Sequence, residues 1–200
     1  MISIIGFSAK KQGGKTIAVN HLFQQLVTEF NPIALNFADP LKFLVYETFV
    51  APTTMDEGGE NSSPFIHWIT EEEKGEKHPC GKTIRELLQL FGTDWCRSVW
   101  PTIWLEHYKH TIQTLHPYRT HVITGDVRFP NEVECIHDLG GIVIRLLRNP
   151  FKDEKIDLHS SEVALDHYTD FDLVVDNSQM SIEEQNQELD KRLVEMGVLK

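Results

Sequence analysis

The sequence predicts an α/β protein with a mostly parallel, five-stranded sheet covered by helices on both faces. Three observations carry that prediction. Short apolar runs recur along the chain, several of them apolar throughout, as strands buried on both faces are. Segments with helical periodicity alternate with those runs, the order that builds crossover units. The first run is joined to the first helical segment by Ala9-Lys10-Lys11-Gln12-Gly13-Gly14-Lys15-Thr16, a glycine-containing turn ending in Gly-Lys-Thr.

In order, residues 2–6 read as a buried strand and residues 17–30 as a helix. Pro32 separates that helix from a second strand, 33–37. Asp39 and Pro40 open a helix over 41–49, with Asp39 as its N-cap and Pro40 as its first residue. Residues 51–81 change character. Pro52, Gly58, Gly59, Pro64, Gly75 and Pro79, with the acidic run Glu71-Glu72-Glu73, mark a loop-rich insertion anchored by Phe65, Ile66 and Trp68. Helical periodicity returns at 83–95 through Ile84, Leu87, Leu88, Leu90 and Phe91, and Gly92 interrupts it. A further helix covers 101–115. A third strand, 121–124, ends at Gly125-Asp126. A helix over 131–139 closes at Gly140-Gly141, and a fourth strand covers 142–147. Residues 148–170 are polar and irregular, with a short helix near 161–165. A fifth strand at 173–175 precedes the last helix, 181–196, where Ser181 and Glu184 form a capping box.

In such a sheet ligands bind outside the carboxyl ends of the strands. The Gly-Lys-Thr turn, Asp39, Asp126 and Arg148 all follow strands, so they are expected to line one crevice. The turn is an anion cradle in chemical terms. A helix N-terminus offers unpaired N–H groups and a positive dipole end, and Gly13 and Gly14 let the backbone approach phosphate oxygens. Lys15 can then reach the β- and γ-phosphates and Thr16 can bind Mg²⁺. Ala9 stands where the usual pattern has its first glycine, which is tolerated if that position needs no positive φ.

Composition narrows the function. The chain has 200 residues, 40% hydrophobic and 24% charged, which suits one domain over 1–200 carrying the 51–81 insertion. A formal net charge of -11 argues against binding a nucleic acid polymer, so a phosphate substrate needs a local cluster of arginines. Cys80, Cys96 and Cys135 form no C-x-x-C pair, which fits a reducing compartment without a disulfide framework. No long apolar segment spans a membrane, and residues 2–6 read as a strand rather than a signal peptide, so the expected location is cytoplasmic.

Phosphoryl transfer requires positive charge and positioning around the moving group. Arg85, Arg97, Arg128 and Arg148 are the candidates, since a planar guanidinium binds phosphate oxygens bidentately. Arg128 follows the third strand by a few residues and belongs near the crevice. Asp126 can hold Mg²⁺, directly or through water, can orient an acceptor, or can cap the next turn. Glu106, His107 and His110 have metal-ligand spacing, but no third ligand is placed by any signature, and they read as solvated. His159 lies in a segment expected to overhang the phosphates. Trp95, Trp100 and Trp104 surround Arg97 and read by default as core.

Beyond the phosphate loop, the chain resembles the bacteriophage-type deoxynucleoside monophosphate kinases of the P-loop nucleotide kinase superfamily. Residues 83–95, Thr-Ile-Arg-Glu-Leu-Leu-Gln-Leu-Phe-Gly-Thr-Asp-Trp, resemble that family's arginine helix and the turn after it, with Trp104 following. Residues 125–132, Gly-Asp-Val-Arg-Phe-Pro-Asn-Glu, resemble its Asp-x-Arg strand end. Leu158-His159-Ser160-Ser161-Glu162 resembles its lid, and residues 172–177 its last strand. The resemblance implies a three-layer P-loop NTPase fold, a lid at about 148–165, and ATP- and Mg²⁺-dependent phosphorylation of a deoxynucleoside monophosphate to the diphosphate. It implies ATP binding by Lys11, Gly13, Gly14, Lys15 and Thr16, with the lid's Arg148 assisting. It implies an acceptor site formed by Lys42, Arg85, Gly92, Trp104, Asp126 and Arg128, with Lys15, Arg85, Asp126 and Arg128 at the chemistry. A homodimer is implied by the same analogy, and the host cytoplasm if the chain is phage-encoded. Cys96 and Ser98 depart from the pattern of many relatives and leave the base preference open. Two alternatives stand beside this reading. One is another small-molecule kinase of this architecture, such as one acting on dephospho-coenzyme A. The other is a non-catalytic nucleotide-binding module, against which the second set of arginines speaks.

Overall fold

The structure, a computed structural model, describes residues 3–27, 30–50, 73–115, 121–151 and 159–199. The chain divides into two compact units, Met1–Phe37 with Tyr108–Lys200, and Ala38–His107. The strands, all in the first unit, are β1 (Ser3–Ser8), β2 (Ile33–Ala34), β3 (His121–Thr124), β4 (Ile142–Leu146) and β5 (Leu173–Val175). The helices are α1 (Lys15–Val27), α2 (Asp39–Val45), α3 (Ile84–Gln89), α4 (Ile103–Thr114), α5 (Pro130–Asp138), α6 (Ser160–Val163) and α7 (Ile182–Glu195), and a single α turn covers Arg97–Val99.

The sheet order is β2-β3-β1-β4-β5, and every pairing is parallel. Alternation along the strands sorts the core into two faces. Ile5, Phe7, Ile123, Ile144, Leu146, Leu173 and Val175 face Ala18, Leu22 and Leu26 of α1 and Leu189 and Leu193 of α7. Each fully buried Leu, Ile, Val or Phe side chain among these contributes about 1.5–3 kcal/mol. On the other face, Gly6 lies under α5 so closely that a Cβ there would sit 2.6 Å from Ile136 Cδ1. Tyr108 stacks on Phe37 at 4.2 Å and shares a 2.7 Å hydrogen bond with Thr124 Oγ1, and burial keeps its phenol protonated well above the usual range. The sheet is therefore covered on both faces, as an all-parallel sheet requires.

Several elements match the sequence expectations closely. β3 and β5 occupy the expected residues, and α7 starts at Ser181, whose Oγ accepts from Glu184 N while Glu184 Oε2 accepts from Ser181 N at 2.7 Å. Four expectations are corrected. The second strand is only two residues long: Leu35 N still donates to Ile123 O at 3.0 Å, but at the next position the Asn36 side chain, rather than the backbone, accepts from Gly125 N at 2.8 Å. The N-cap of α2 is Ala38, not Asp39, and its side chain makes no cap bond. Asp39 lies in the first turn and pairs with Lys42 instead. Gly92 does not interrupt its helix. The chain runs on through it as a π-helical turn, Leu90–Cys96. Trp104 is core, but Trp95 and Trp100 are exposed. Of the 51–81 insertion, residues 51–72 lie outside the described residues, as does the 152–158 part of the expected lid. Residues 73–81 contain a 3₁₀ turn, Glu73–Gly75, and Lys77 bridges to Thr83.

His107 and His110 are exposed, and all three cysteines are free, with Cys80 exposed and Cys96 and Cys135 buried. Among the described residues no helix is long and apolar enough to cross a membrane.

At the start of β3, His121 is 8% exposed and meets the Phe30 ring edge-on at 4.5 Å, and its Nδ1 has no partner among the described residues. Burial holds its pKa below the ordinary 6.5. Below about pH 6.5 the unfolded chain therefore takes up a proton that the folded chain resists, and stability falls until the lower, folded-state pKa is passed. Wild-type protein is expected to lose more melting temperature between pH 7.5 and 5.5 than a His121→Gln variant does. Equal losses in the two proteins would refute this.

Candidate active site

β3, β1 and β4 are neighbours running in one direction, so the segments leaving their carboxyl ends share one edge of the sheet. That edge receives the turn before α1, Asp126 and Arg128 after β3, and Arg148 after β4.

The turn is shaped for an anion. Gly13 N donates to Lys10 O at 2.9 Å, Gln12 adopts φ 58° and Gly14 φ 89°. Ala9 has no positive φ, which is why alanine serves where a glycine is usual. A Cβ on Gly13 would lie 2.8 Å from Arg148 O, and one on Gly14 would lie 2.4 Å from Gln185 Oε1. Two buried amide side chains hold the turn from behind. Asn177 Nδ2 donates to Gly13 O at 3.0 Å, and Gln185 Nε2 reaches Gly14 O at 3.4 Å. In a planar trans peptide the C=O of one residue and the N–H of the next point opposite ways. Tying back the Gly13 carbonyl therefore turns the N–H group of Gly14 away from Asn177, and Gly14 O, which also accepts from Ala18 N at 3.1 Å, is directed by α1 with Gln185 in support. Thr16, next in α1, is exposed, and Lys11 lies 5.8 Å from the Phe151 ring centroid.

Asp126 Oδ1 accepts from Phe37 N at 3.0 Å, which ties the end of β3 to the chain leaving β2. Arg128 is fixed at its backbone by Glu132, a 2%-exposed carboxylate whose Oε2 accepts from the N–H of Arg128 at 2.7 Å and of Phe129 at 3.1 Å. The Arg128 guanidinium pairs with Glu162 of α6. Burial works against its charge, but the carboxylates of Glu162, Asp126 and Glu132 outweigh burial and hold its pKa above the ordinary value. The segment carrying Glu162 is docked by two further cations. Lys10 donates to Glu162 O at 2.8 Å and pairs with Asp166, and Arg145 lies 3.9 Å from Asp166 while donating to Ser8 Oγ at 2.7 Å. His159 caps α6, its Nδ1 accepting from Ser161 N. The Arg148 guanidinium donates to the backbone oxygens of Asn177 and Met180.

The remaining candidates lie in the second unit. Arg85 stands in the first turn of α3, where Thr83 and Glu86 form a capping box. The hydrogen bonds from the Thr83 backbone and side chain hold the Glu86 carboxyl below its usual range. Lys42 Nζ donates to Asp39 Oδ1 at 3.0 Å. Gly92 sits inside the π-helical turn, where a Cβ would come within 2.2 Å of Leu41 Cδ2, and its carbonyl accepts from the buried Trp104 Nε1 at 3.0 Å. The Trp104 N–H is thus committed to holding this turn.

Comparison with known proteins adds two findings. Residues 69–189 match the family model described as "Deoxynucleotide monophosphate kinase". The chain is also 31% identical over 193 residues to an Acanthamoeba polyphaga mimivirus protein named "Putative deoxynucleotide monophosphate kinase", an alignment covering 90% of this chain and 91% of that one. The chain belongs to the deoxynucleotide monophosphate kinase family. That membership supports phosphotransferase activity on small molecules in general terms. The span matched to the deoxynucleotide monophosphate kinase model contains Lys10's partners Glu162 and Asp166 and every arginine discussed above. The Gly-Lys-Thr turn precedes it.

Several residues that hold the site together are hard to recognise in the sequence. Glu132 had a usable signal, a glutamate in the first helical turn behind Pro130, which commonly reaches back to free N–H groups. Glu162, Asn177 and Gln185 had none, because their partners lie 34, 164 and 171 residues away.

Proposed function

We propose that this protein catalyses transfer of the γ-phosphoryl group of ATP to a deoxynucleoside monophosphate, giving ADP and the deoxynucleoside diphosphate. The observation that carries this reading is the turn 9–16, with the Gly13 and Gly14 carbonyls bonded to Asn177 and Gln185 behind it, in a chain of this kinase family. Lys11, Gly13, Gly14, Lys15 and Thr16 bind the donor's phosphates, and Arg148 supports them. Lys42, Arg85, Gly92, Trp104, Asp126 and Arg128 form the acceptor site, Trp104 acting through the turn it holds at Gly92. Thr16, with Asp126 through water, provides the oxygen ligands suited to Mg²⁺. When bound, the ion neutralises charge on the donor's phosphates.

A phosphate oxygen of the acceptor attacks the γ-phosphorus while the bond to the β-bridging oxygen breaks, and ADP leaves with that electron pair. The nucleophile is already anionic, so no side chain has to remove a proton. Lys15, Arg85 and Arg128 stabilise the charge spread over the transferring group's equatorial oxygens. Cytoplasmic action on free nucleotides is part of the same reading, as is a homodimer.

The test is an ADP-release assay with ATP·Mg²⁺ against the deoxynucleoside and ribonucleoside monophosphates, modified bases and dephospho-coenzyme A. Stoichiometric ADP and deoxynucleoside diphosphate with at least one deoxynucleoside monophosphate is the expected result. ATP binding without turnover on any acceptor would reject it in favour of a nucleotide-binding module. Turnover on dephospho-coenzyme A alone would move the acceptor class.

A further inference from the structure

We infer that Asn177, working with Gln185, is the positioning element of the donor phosphate loop, an inference that rests on the donor-site reading above. Asn177 follows β5, is 0% exposed, and uses both ends of its amide. Its Nδ2 donates to Gly13 O at 3.0 Å and to Gln185 Oε1 at 2.6 Å, and its Oδ1 accepts from Arg148 N at 2.8 Å. Its backbone oxygen in turn accepts from Arg148 Nε at 3.1 Å and Nη2 at 2.8 Å. Gln185, 1% exposed in the first turns of α7, receives the Asn177 amide and passes a bond to Gly14 O. The result is one closed hydrogen-bonded unit joining three otherwise separate pieces of chain: the loop before α1, the residue after β4, and the β5–α7 connection.

The donor and acceptor polarity of this unit is specific. Gly13 O, Gln185 Oε1 and Gly14 O are acceptors, so the groups facing them must donate. Arg148 N is a donor, so the group facing it must accept. A primary amide supplies both in one short side chain, which a hydrocarbon of the same size does not. The buried position makes the bonds persistent, because an unpaired carbonyl there has no water to turn to. Since the direction of the Gly13 carbonyl fixes the direction of the Gly14 N–H group, the clamp aims that donor before any nucleotide arrives, while Gly14 O also accepts from Ala18 N at 3.1 Å, so that Gln185 supports a carbonyl that α1 already directs. The same contacts account for the missing side chain at Gly14, whose Cβ would occupy the position of Gln185 Oε1. Asn177 and Gln185 touch no phosphate in this account. They act through the loop.

The experiment measures ATP·Mg²⁺ binding by calorimetry, and steady-state kinetics with both substrates varied, in wild type, Asn177→Ala and Gln185→Met. Asn177→Ala is expected to weaken ATP binding and raise KM for ATP by about ten- to a hundredfold, the scale of one to two buried hydrogen bonds. Gln185→Met, which keeps a helix-compatible side chain of similar length, is expected to raise KM for ATP by about three- to tenfold. In both, KM for the monophosphate should stay within twofold. A merely structural role would lower the amount of active protein and the melting temperature but leave KM for ATP unchanged. If Asn177→Ala fails to fold, Gln185→Met decides. Either folded variant binding ATP within twofold of wild type overturns the inference. Wild-type protein that binds no ATP overturns the donor-site reading itself, and the clamp with it.

Discussion

Arg128→Ala is expected to lower kcat by about a thousandfold, with KM for ATP nearly unchanged. The guanidinium stands beyond the end of β3, on a backbone held by the buried Glu132, and a flexible tail would not be anchored in this way. An arginine that stabilises the transferring phosphoryl group contributes most in the transition state, so the loss should appear in kcat rather than in donor affinity. Part of the effect could be structural, because Glu162 loses its ion-pair partner. The Arg128 side chain is 37% exposed and that of Glu162 16%, so solvent screens the pair and its loss should cost about 1 kcal/mol or less. Arg128→Lys separates the two contributions. It keeps a cation for Glu162 and loses the planar fork, so its stability should return while most of the activity does not. Normal kcat in folded Arg128→Ala protein would remove this residue from the chemistry.

Gly14→Ala is expected to weaken ATP binding by about a hundredfold. Two costs coincide there. A left-handed backbone at φ 89° costs a residue with a Cβ about 1–2 kcal/mol. The new methyl would also stand 2.4 Å from Gln185 Oε1, so either the loop or the amide clamp must move. Gly140 is the internal control, because it has φ 75° but nothing within 4 Å of the Cβ position. Gly140→Ala should cost a similar backbone penalty in melting temperature and leave KM for ATP untouched. If both variants change ATP affinity equally, or neither does, the local argument about Gly14 is wrong.

The sequence carried the frame of the fold because the frame is written in local chemistry. The β-branched run Val122-Ile123-Thr124, the reciprocal caps at Ser181 and Glu184, and the positive-φ glycine after α5 are signals that span a few residues. The corrections fall where a side-chain partner overrides a local preference. Asp39 has the chemistry of an N-cap, yet its carboxylate pairs with Lys42. Gly92 has the chemistry of a helix breaker, yet the close approach of Leu41 and the bond from Trp104 make it part of a continuous π-helical turn. At the candidate site, the Gly-Lys-Thr turn was legible as a turn between a strand and a helix, and Asp126 and Arg128 as residues that follow a strand. The supports were not. An asparagine in a loop and a glutamine on a helix look like ordinary surface polarity until the chain brings them behind Gly13 and Gly14.

The strand order has a consequence for how the molecule is made. β1 is the central strand, and its neighbours are β3 and β4, which begin at His121 and Ile142. At a ribosomal rate of about 5–20 residues per second, the amino-terminal strand waits on the order of ten seconds before either partner exists. During that interval Ile4, Ile5 and Phe7 have no sheet to enter, and an exposed apolar strand edge is what holdase chaperones bind and what nascent chains aggregate through. Nascent chains stalled before β3 should therefore be far more protease-sensitive and chaperone-bound than chains released after β4 has emerged.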